Sequence, residues 1–268
     1  MPGPDPSPEE ELALLVQAAE AAGKIALGFW RRDPKAWDKA DASPVSEADL
    51  AVDAALRVLL AAERPDYGWL SEESPDGAEE QAARAAARRV FILDPIDGTR
   101  AFLAGEEAFA VSLALVEGGR VLAGVVHLPA MARTYSATPD GPGRRDGAGL
   151  AVSARAELAG ADVLATRPTM APELWPQGVP EVKRSFRASL AWRLCLVAEG
   201  RFDAMITLRG AREWDIAAGA LIAERAGAVV TDRHGQAIAF NAAIPEAEGT
   251  LCAPPALHSQ ILAALVPE

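Results

Sequence analysis

Apolar residues recur at helical spacing through Leu12, Leu15, Val16, Ala19, Ala22 and Ile25, which predicts an amphipathic helix. Just before them, Ser7-Pro8-Glu9-Glu10 supplies a serine cap, a proline at the first helical position and an acid at the third. That helix is expected to end near Trp30. A second apolar face, Leu50, Ala54, Leu56, Leu59 and Leu60, follows Pro44-Val45-Ser46-Glu47-Ala48-Asp49, where Ser46 and Asp49 are spaced as a capping box. Between the two helices, Asp33 to Ser43 reads as a polar loop carrying Lys35 and Lys39. The period then shortens. Tyr67 to Leu70 and Val90 to Leu93 read as strands, Phe109 to Val116 and Val121 to Leu128 as a hairpin turning at Glu117-Gly118-Gly119-Arg120, and Thr134 to Ala137 as a third strand. Ala78 to Arg89, charged and alanine-rich, is a loop or a short helix.

Pro139 to Gly149 is a Gly/Pro turn cluster and predicts a seam, giving an N-terminal half over 1–145 and a C-terminal half over 146–268. Beyond it the pattern alternates. Asp162 to Thr166, Ala204 to Leu208 and Ala228 to Thr231 read as strands. Leu190 to Glu199, Trp214 to Ala226 (stopped by Gly227) and Leu257 to Leu265 read as helices. This is an α/β alternation.

Charge narrows the partners. The 268 residues carry a formal net charge of −12, which repels a nucleic-acid polymer. A small phosphate ester would need divalent cations to offset the same repulsion. Cys195 and Cys252 are far apart and His127, His234 and His258 are scattered, so neither a disulfide framework nor a zinc site follows. The acidic, proline-rich start does not resemble a secretory signal. No apolar run was expected to reach membrane-spanning length, and the expected location is the cytoplasm.

The candidate chemistry centres on Val90 to Phe102, VFILDPIDGTRAF. Asp94 and Asp97 follow an apolar strand at once; Pro95 is expected to stop the ladder, and Gly98 to let backbone approach a ligand, with Thr99 opening a turn or helix. Aspartates of this kind also cap ordinary turns. The whole string D-P-I-D-G-T, however, resembles the first signature of the inositol monophosphatase family, magnesium-dependent, lithium-sensitive phosphomonoesterases. Glu213-Trp214-Asp215-Ile216-Ala217-Ala218-Gly219 is similar to the family's second signature, Pro44 to Asp49 to its P-V-T-x-A-D string with serine for threonine, and Ser71-Glu72-Glu73-Ser74 to its G/S-E-E-S element.

The resemblance implies a layered αβαβα sandwich of the inositol monophosphatase/fructose-1,6-bisphosphatase type, an α/β fold with an α+β N-terminal half. It implies two or three Mg2+ ions, one held by Glu72, Asp94 and the Ile96 carbonyl and another by Asp94, Asp97 and Asp215. A shared Asp94 would set them about 3.5–4 Å apart. Asp49, Glu72 and Thr99 would be the catalytic set, with Thr99 and Asp49 orienting and deprotonating the attacking water. Asp97 and the backbone at Gly98 and Thr99 would hold phosphate, and Lys39 falls near the family's active-site loop lysine. Members are commonly dimers, so a homodimer is expected.

Ser189-Leu190-Ala191-Trp192-Arg193-Leu194-Cys195-Leu196-Val197-Ala198-Glu199-Gly200 is similar to a string of the CysQ-type 3′(2′),5′-bisphosphate nucleotidases, as is Glu213 before Trp214. On that basis Ser189, Arg193 and Glu213 join the substrate-binding set. The implied reaction takes adenosine 3′,5′-bisphosphate to AMP and phosphate. Inositol-1-phosphate, another sugar or polyol phosphate, and histidinol phosphate are the alternative substrates, and a non-catalytic phosphate sensor is the alternative class.

Overall fold

The computed structural model describes residues 5–40, 42–75 and 77–265. The proline-rich start at 1–4 and Asp41 of the expected loop lie outside them.

Helix α1 (Pro8–Phe29) begins as expected: Ser7 and Glu10 form a capping box with Pro8 at the first position. What reads as a polar loop contains a small hairpin, β1 (Ala36–Asp38) against β2 (Pro44–Ser46). Three-residue strands with no apolar alternation leave no periodic signal to read. Ser46 ends β2 and caps α2 (Glu47–Glu63). Strand β3 (Gly68–Ser71) and helix α3 (Ala78–Ala86) lead to β4 (Arg89–Asp97).

Strand β4 does not stop at Pro95. Asp94 pairs with Ser112 and Asp97 with Ala110, so β4 carries one extra residue between the two aspartates. The proline, which has no N–H to offer, sits in this bulge, where no ladder bond is lost. The Ile96 amide is satisfied by Asp94 Oδ1 at 2.8 Å. Helix α4 (Thr99–Leu103) follows, then the hairpin β5 (Ala110–Glu117) and β6 (Arg120–Leu128), and β7 (Arg133–Ala137). The Gly/Pro cluster supplies the turns of two more strands, β8 (Arg144–Arg145) and β9 (Ala148–Gly149). The seam expected at 145–146 therefore falls inside a hairpin, and the change of sheet comes after Gly149. Strands β3 to β9 form one sheet in sequence order, parallel only between β3 and β4.

The second sheet is ordered β11-β10-β12-β16-β14. Its strands are β10 (Asp162–Ala165), β11 (Lys183–Ser185), β12 (Ala204–Thr207), β14 (Val229–Thr231) and β16 (Thr250–Ala253). Strand β10 runs parallel to β11 and β12. A two-residue ribbon joins β13 (Ala211–Arg212) to β15 (Glu246–Ala247). Helices α5 (Leu190–Ala198) and α6 (Glu213–Glu224) lie between the two sheets, and α7 (Pro255–Leu265) packs on β16. With α1 and α2 against β4, β5 and β6, the layers are αβαβα, the sandwich expected. Helix α5 has no polar face because it has no solvent side: all nine of its residues are buried.

By length and composition α1 could cross a membrane, contrary to the expectation that no segment could. Three acids open it, and Leu15, Ala18, Ala19 and Ala26 are fully buried in the core it shares with α2 and the first sheet. It packs as a core helix.

The small residues of α6 set the layer spacing. A Cβ on Gly124 of β6 would lie 3.0 Å from the Ala218 carbonyl, and one on Gly219 would lie 2.7 Å from Leu194 Cδ1 and 3.1 Å from the Ala191 carbonyl. Gly219→Ala should therefore lower stability by up to about 2 kcal/mol, because overpacking of about 1–3 kcal/mol is set against a helix-propensity gain of about 1 kcal/mol. Urea unfolding midpoints check this; an unchanged or higher midpoint would show that α5 can yield.

Candidate active site and metal centre

Three elements deliver carboxylates to one point. Strands β3 and β4 are parallel, with Ser71 opposite Leu93, so Glu72 emerges beside Asp94, and its amide bonds the Leu93 carbonyl at 3.2 Å. Ser112, opposite Asp94, donates to the Trp214 carbonyl at 3.0 Å and pins the first turn of α6, which carries Asp215. Oxygens of Glu72, Asp94 and Asp215 then lie within 4.8 Å of one another. Burial pushes the Asp94 and Asp215 carboxyls well above the usual carboxylate range, and mutual repulsion with Glu72 and Asp97 adds to it. Such a cluster takes up either protons or cations.

Hard carboxylate oxygens, a neighbouring backbone carbonyl and an open side suit an oxygen-loving divalent cation. The donors present therefore fit a metal. Lys39, brought in by the β1–β2 hairpin, places its ammonium 2.9 Å from Glu72 and 2.7 Å from Glu73. Burial opposes the lysine's charge, but the two glutamates outweigh it and its pKa is raised. Burial also lifts Glu73 to about 7. The Glu72–Ser74 turn is held from below by Asp53, which accepts hydrogen bonds from the Ser71 and Ser74 hydroxyls.

Asp97 lines the same cleft but lies outside the three-acid cluster. Its Oδ2 accepts from Ser189 Oγ and the Ala191 amide, each at 2.7 Å, and its Oδ1 from the Leu190 amide at 3.1 Å. It thus caps α5 from another strand. Burial raises its pKa to about 6 against these bonds.

Thr99 Oγ1 donates within reach of both Asp49 Oδ1 at 3.2 Å and the Ile96 carbonyl at 3.1 Å. The other Asp49 oxygen takes the Ser46 amide at 2.8 Å and hydroxyl at 2.5 Å. Burial raises the Asp49 pKa. Gly98 holds φ 101°, a conformation that favours glycine, with no room for a Cβ beside the Ala108 carbonyl 3.0 Å away.

Two of the residues expected on the substrate side are enclosed in this structure. Ser189 is fully buried, donating to Asp97 and accepting the Trp192 amide at 2.9 Å. Glu213 is 1% exposed, and its carboxylate accepts the Asn241 and Ala242 amides. Both fix backbone instead of facing the cleft. Arg193 does face it, lining both lobes, of about 580 and 630 Å³. Its guanidinium is held by the Arg187 carbonyl at 2.6 Å and the Ala188 carbonyl at 3.3 Å. Sequence reasoning missed Arg209, which lines both lobes, and Phe186, which lines the larger. Arg209 lies just past the carboxyl end of β12, which runs parallel to β10. Ligand contacts concentrate at such positions in α/β sheets, and that rule would have found it.

The sandwich and its carboxylate-lined cleft define a phosphatase of the metal-dependent class. Residues 7–268 match the inositol monophosphatase family, and the chain belongs to that family. It is a phosphoric monoester hydrolase. It is 35% identical over 243 residues to a protein of Streptomyces griseus named glucose-1-phosphate thymidylyltransferase, covering 85% of this chain and 87% of that one. It is 31% identical to the histidinol-phosphatase of Chlorobaculum parvum, covering 95% and 96%. The 3′(2′),5′-bisphosphate nucleotidase CysQ of Escherichia coli K12 is also 31% identical, with 75% and 81% covered. The solved structure of Mycobacterium tuberculosis SuhB superposes with a TM-score of 0.76 at 30% identity, covering 97% of each chain.

Proposed function

We propose that the protein is a magnesium-dependent 3′(2′),5′-bisphosphate nucleotidase of the cytoplasm, acting on adenosine 3′,5′-bisphosphate. The observation that carries this reading is the pair Arg193 and Arg209, both on both lobes of the cleft beside the acids. Burial lowers the Arg193 pKa to about 10, and neighbouring Arg209 pushes the same way. Two guanidiniums lining one cleft favour an anionic group there. A bisphosphate has one to spare after the scissile phosphate is bound, whereas a polyol monophosphate does not.

Glu72, Asp94, Asp215, Asp97 and the Ile96 carbonyl would hold the cations, with Asp94 shared. When bound, magnesium supplies Lewis acidity to the phosphate and to the attacking water. Thr99, hydrogen-bonded to Asp49, relays the water's proton to that carboxylate, whose burial makes it a better base. The amides at Gly98 and Thr99 would hold the phosphate oxygens. The N-terminal half supplies most of this set and the C-terminal half Asp215 and the arginines.

Phosphate release from adenosine 3′,5′-bisphosphate, inositol 1-phosphate and histidinol phosphate, each with magnesium and with EDTA, tests the reading. A kcat/KM preference for the nucleotide of about a hundredfold, roughly 2.7 kcal/mol, is expected. Arg209→Ala should remove at least tenfold of that preference. A preference for inositol or histidinol phosphate would assign the chain to those reactions, and binding without turnover would make it a sensor.

A further inference from the structure

Phe186 follows β11 on the loop into α5 and is 50% exposed, although it lines the 630 Å³ lobe that also holds Asp94, Thr99 and Asp215. An aromatic ring left half in solvent beside catalytic carboxylates is not needed for packing. One face is already taken. The Arg193 guanidinium carbon sits 4.5 Å from the ring centroid, and Arg193, itself 5% exposed, is fixed by two backbone carbonyls. The arginine thereby holds the ring on one side, and half of the residue stays exposed at the lobe. Pro168 and Ala188 extend the apolar lining of this lobe.

We infer that Phe186 is a stacking platform for a flat ring carried by the alcohol part of the substrate. The inference rests on the phosphatase reading of the cleft and deepens it: the platform favours heteroaromatic esters over polyol esters. A fixed, half-exposed aromatic ring accepts a π-face of matching size. A cyclohexane polyol, with hydroxyls around its rim, gains little from it.

Kinetics of Phe186→Ala and Phe186→Trp on adenosine 3′,5′-bisphosphate, p-nitrophenyl phosphate and inositol 1-phosphate test this. For the two flat-ring esters, Phe186→Ala should raise KM about tenfold with kcat within twofold. Inositol 1-phosphate kinetics should stay within twofold, and Phe186→Trp should restore the flat-ring esters. An equal fall for all three esters, or no change for any, overturns the platform. If the native enzyme prefers inositol 1-phosphate the nucleotidase reading fails, and the platform then stands or falls on p-nitrophenyl phosphate alone. Absence of turnover of all three by the native protein counts against both.

Discussion

Asp94→Asn should lower kcat by about a thousandfold or more, equivalent to about 4 kcal/mol of transition-state stabilisation. Asp94 is the carboxylate that the cluster is built around, 2% exposed and between Glu72 and Asp215. Asparagine keeps the oxygen that accepts the Ile96 amide, so the bulge survives. It also removes one of the repelling charges, so the metal-free variant should melt at the native temperature or above it. The combination is diagnostic: activity is lost, metal-free stability is kept, and the magnesium-induced rise in melting temperature shrinks. Near-normal turnover in this variant would exclude Asp94 as a shared ligand.

The second large effect is on stability. The Asp97 pKa is raised by burial to about 6, above the usual carboxylate range, and Asp94 and Asp215 are raised well above theirs. Between the unfolded and folded values the folded chain holds more protons than the unfolded one, so stability falls as pH rises. For Asp97 this window runs from about pH 4 to about pH 6, and the other two add to the decline. In EDTA the protein should thus be more stable at pH 5 than at pH 8 as far as these groups decide it. Magnesium replaces the protons, and its affinity weakens as they return. At a hundred times its dissociation constant a ligand adds about 2.7 kcal/mol, on the order of 5–10 °C for a chain of this size. The gap in melting temperature between magnesium and EDTA should be of that order at pH 8 and much smaller at pH 5. A gap independent of pH would mean that these carboxylates do not hold the metal.

The sequence was most legible where one residue type has one physical meaning. The capping boxes at Ser7 and Ser46 and the Gly118-Gly119 turn act locally, and each is found as read. Acid motifs from separate segments did converge, in the case of Glu72, Asp94 and Asp215. What the sequence hid depends on tertiary partners. Nothing near Glu213 announces that its carboxylate will take the amides of Asn241 and Ala242, 28 and 29 positions away. Nothing near Ser189 shows that it will be enclosed against Asp97. Pro95 marks an irregularity correctly, but whether a strand ends or bulges is decided by the strand beside it, and β5 resumes pairing at Ala110.

The Asp97 carboxylate has a consequence that reaches beyond the cleft. It belongs to the last residue of β4, in the first sheet, yet its oxygens receive the first-turn amides of α5, the helix that carries Arg193 and packs against the second sheet. A change in its charge, by protonation or by a cation drawing on the same oxygens, alters the grip on those amides directly. One side chain at the cleft thus ties the last residue of a strand in the first sheet to the helix that carries Arg193. The two layers are joined there by a single side chain, without an intervening loop.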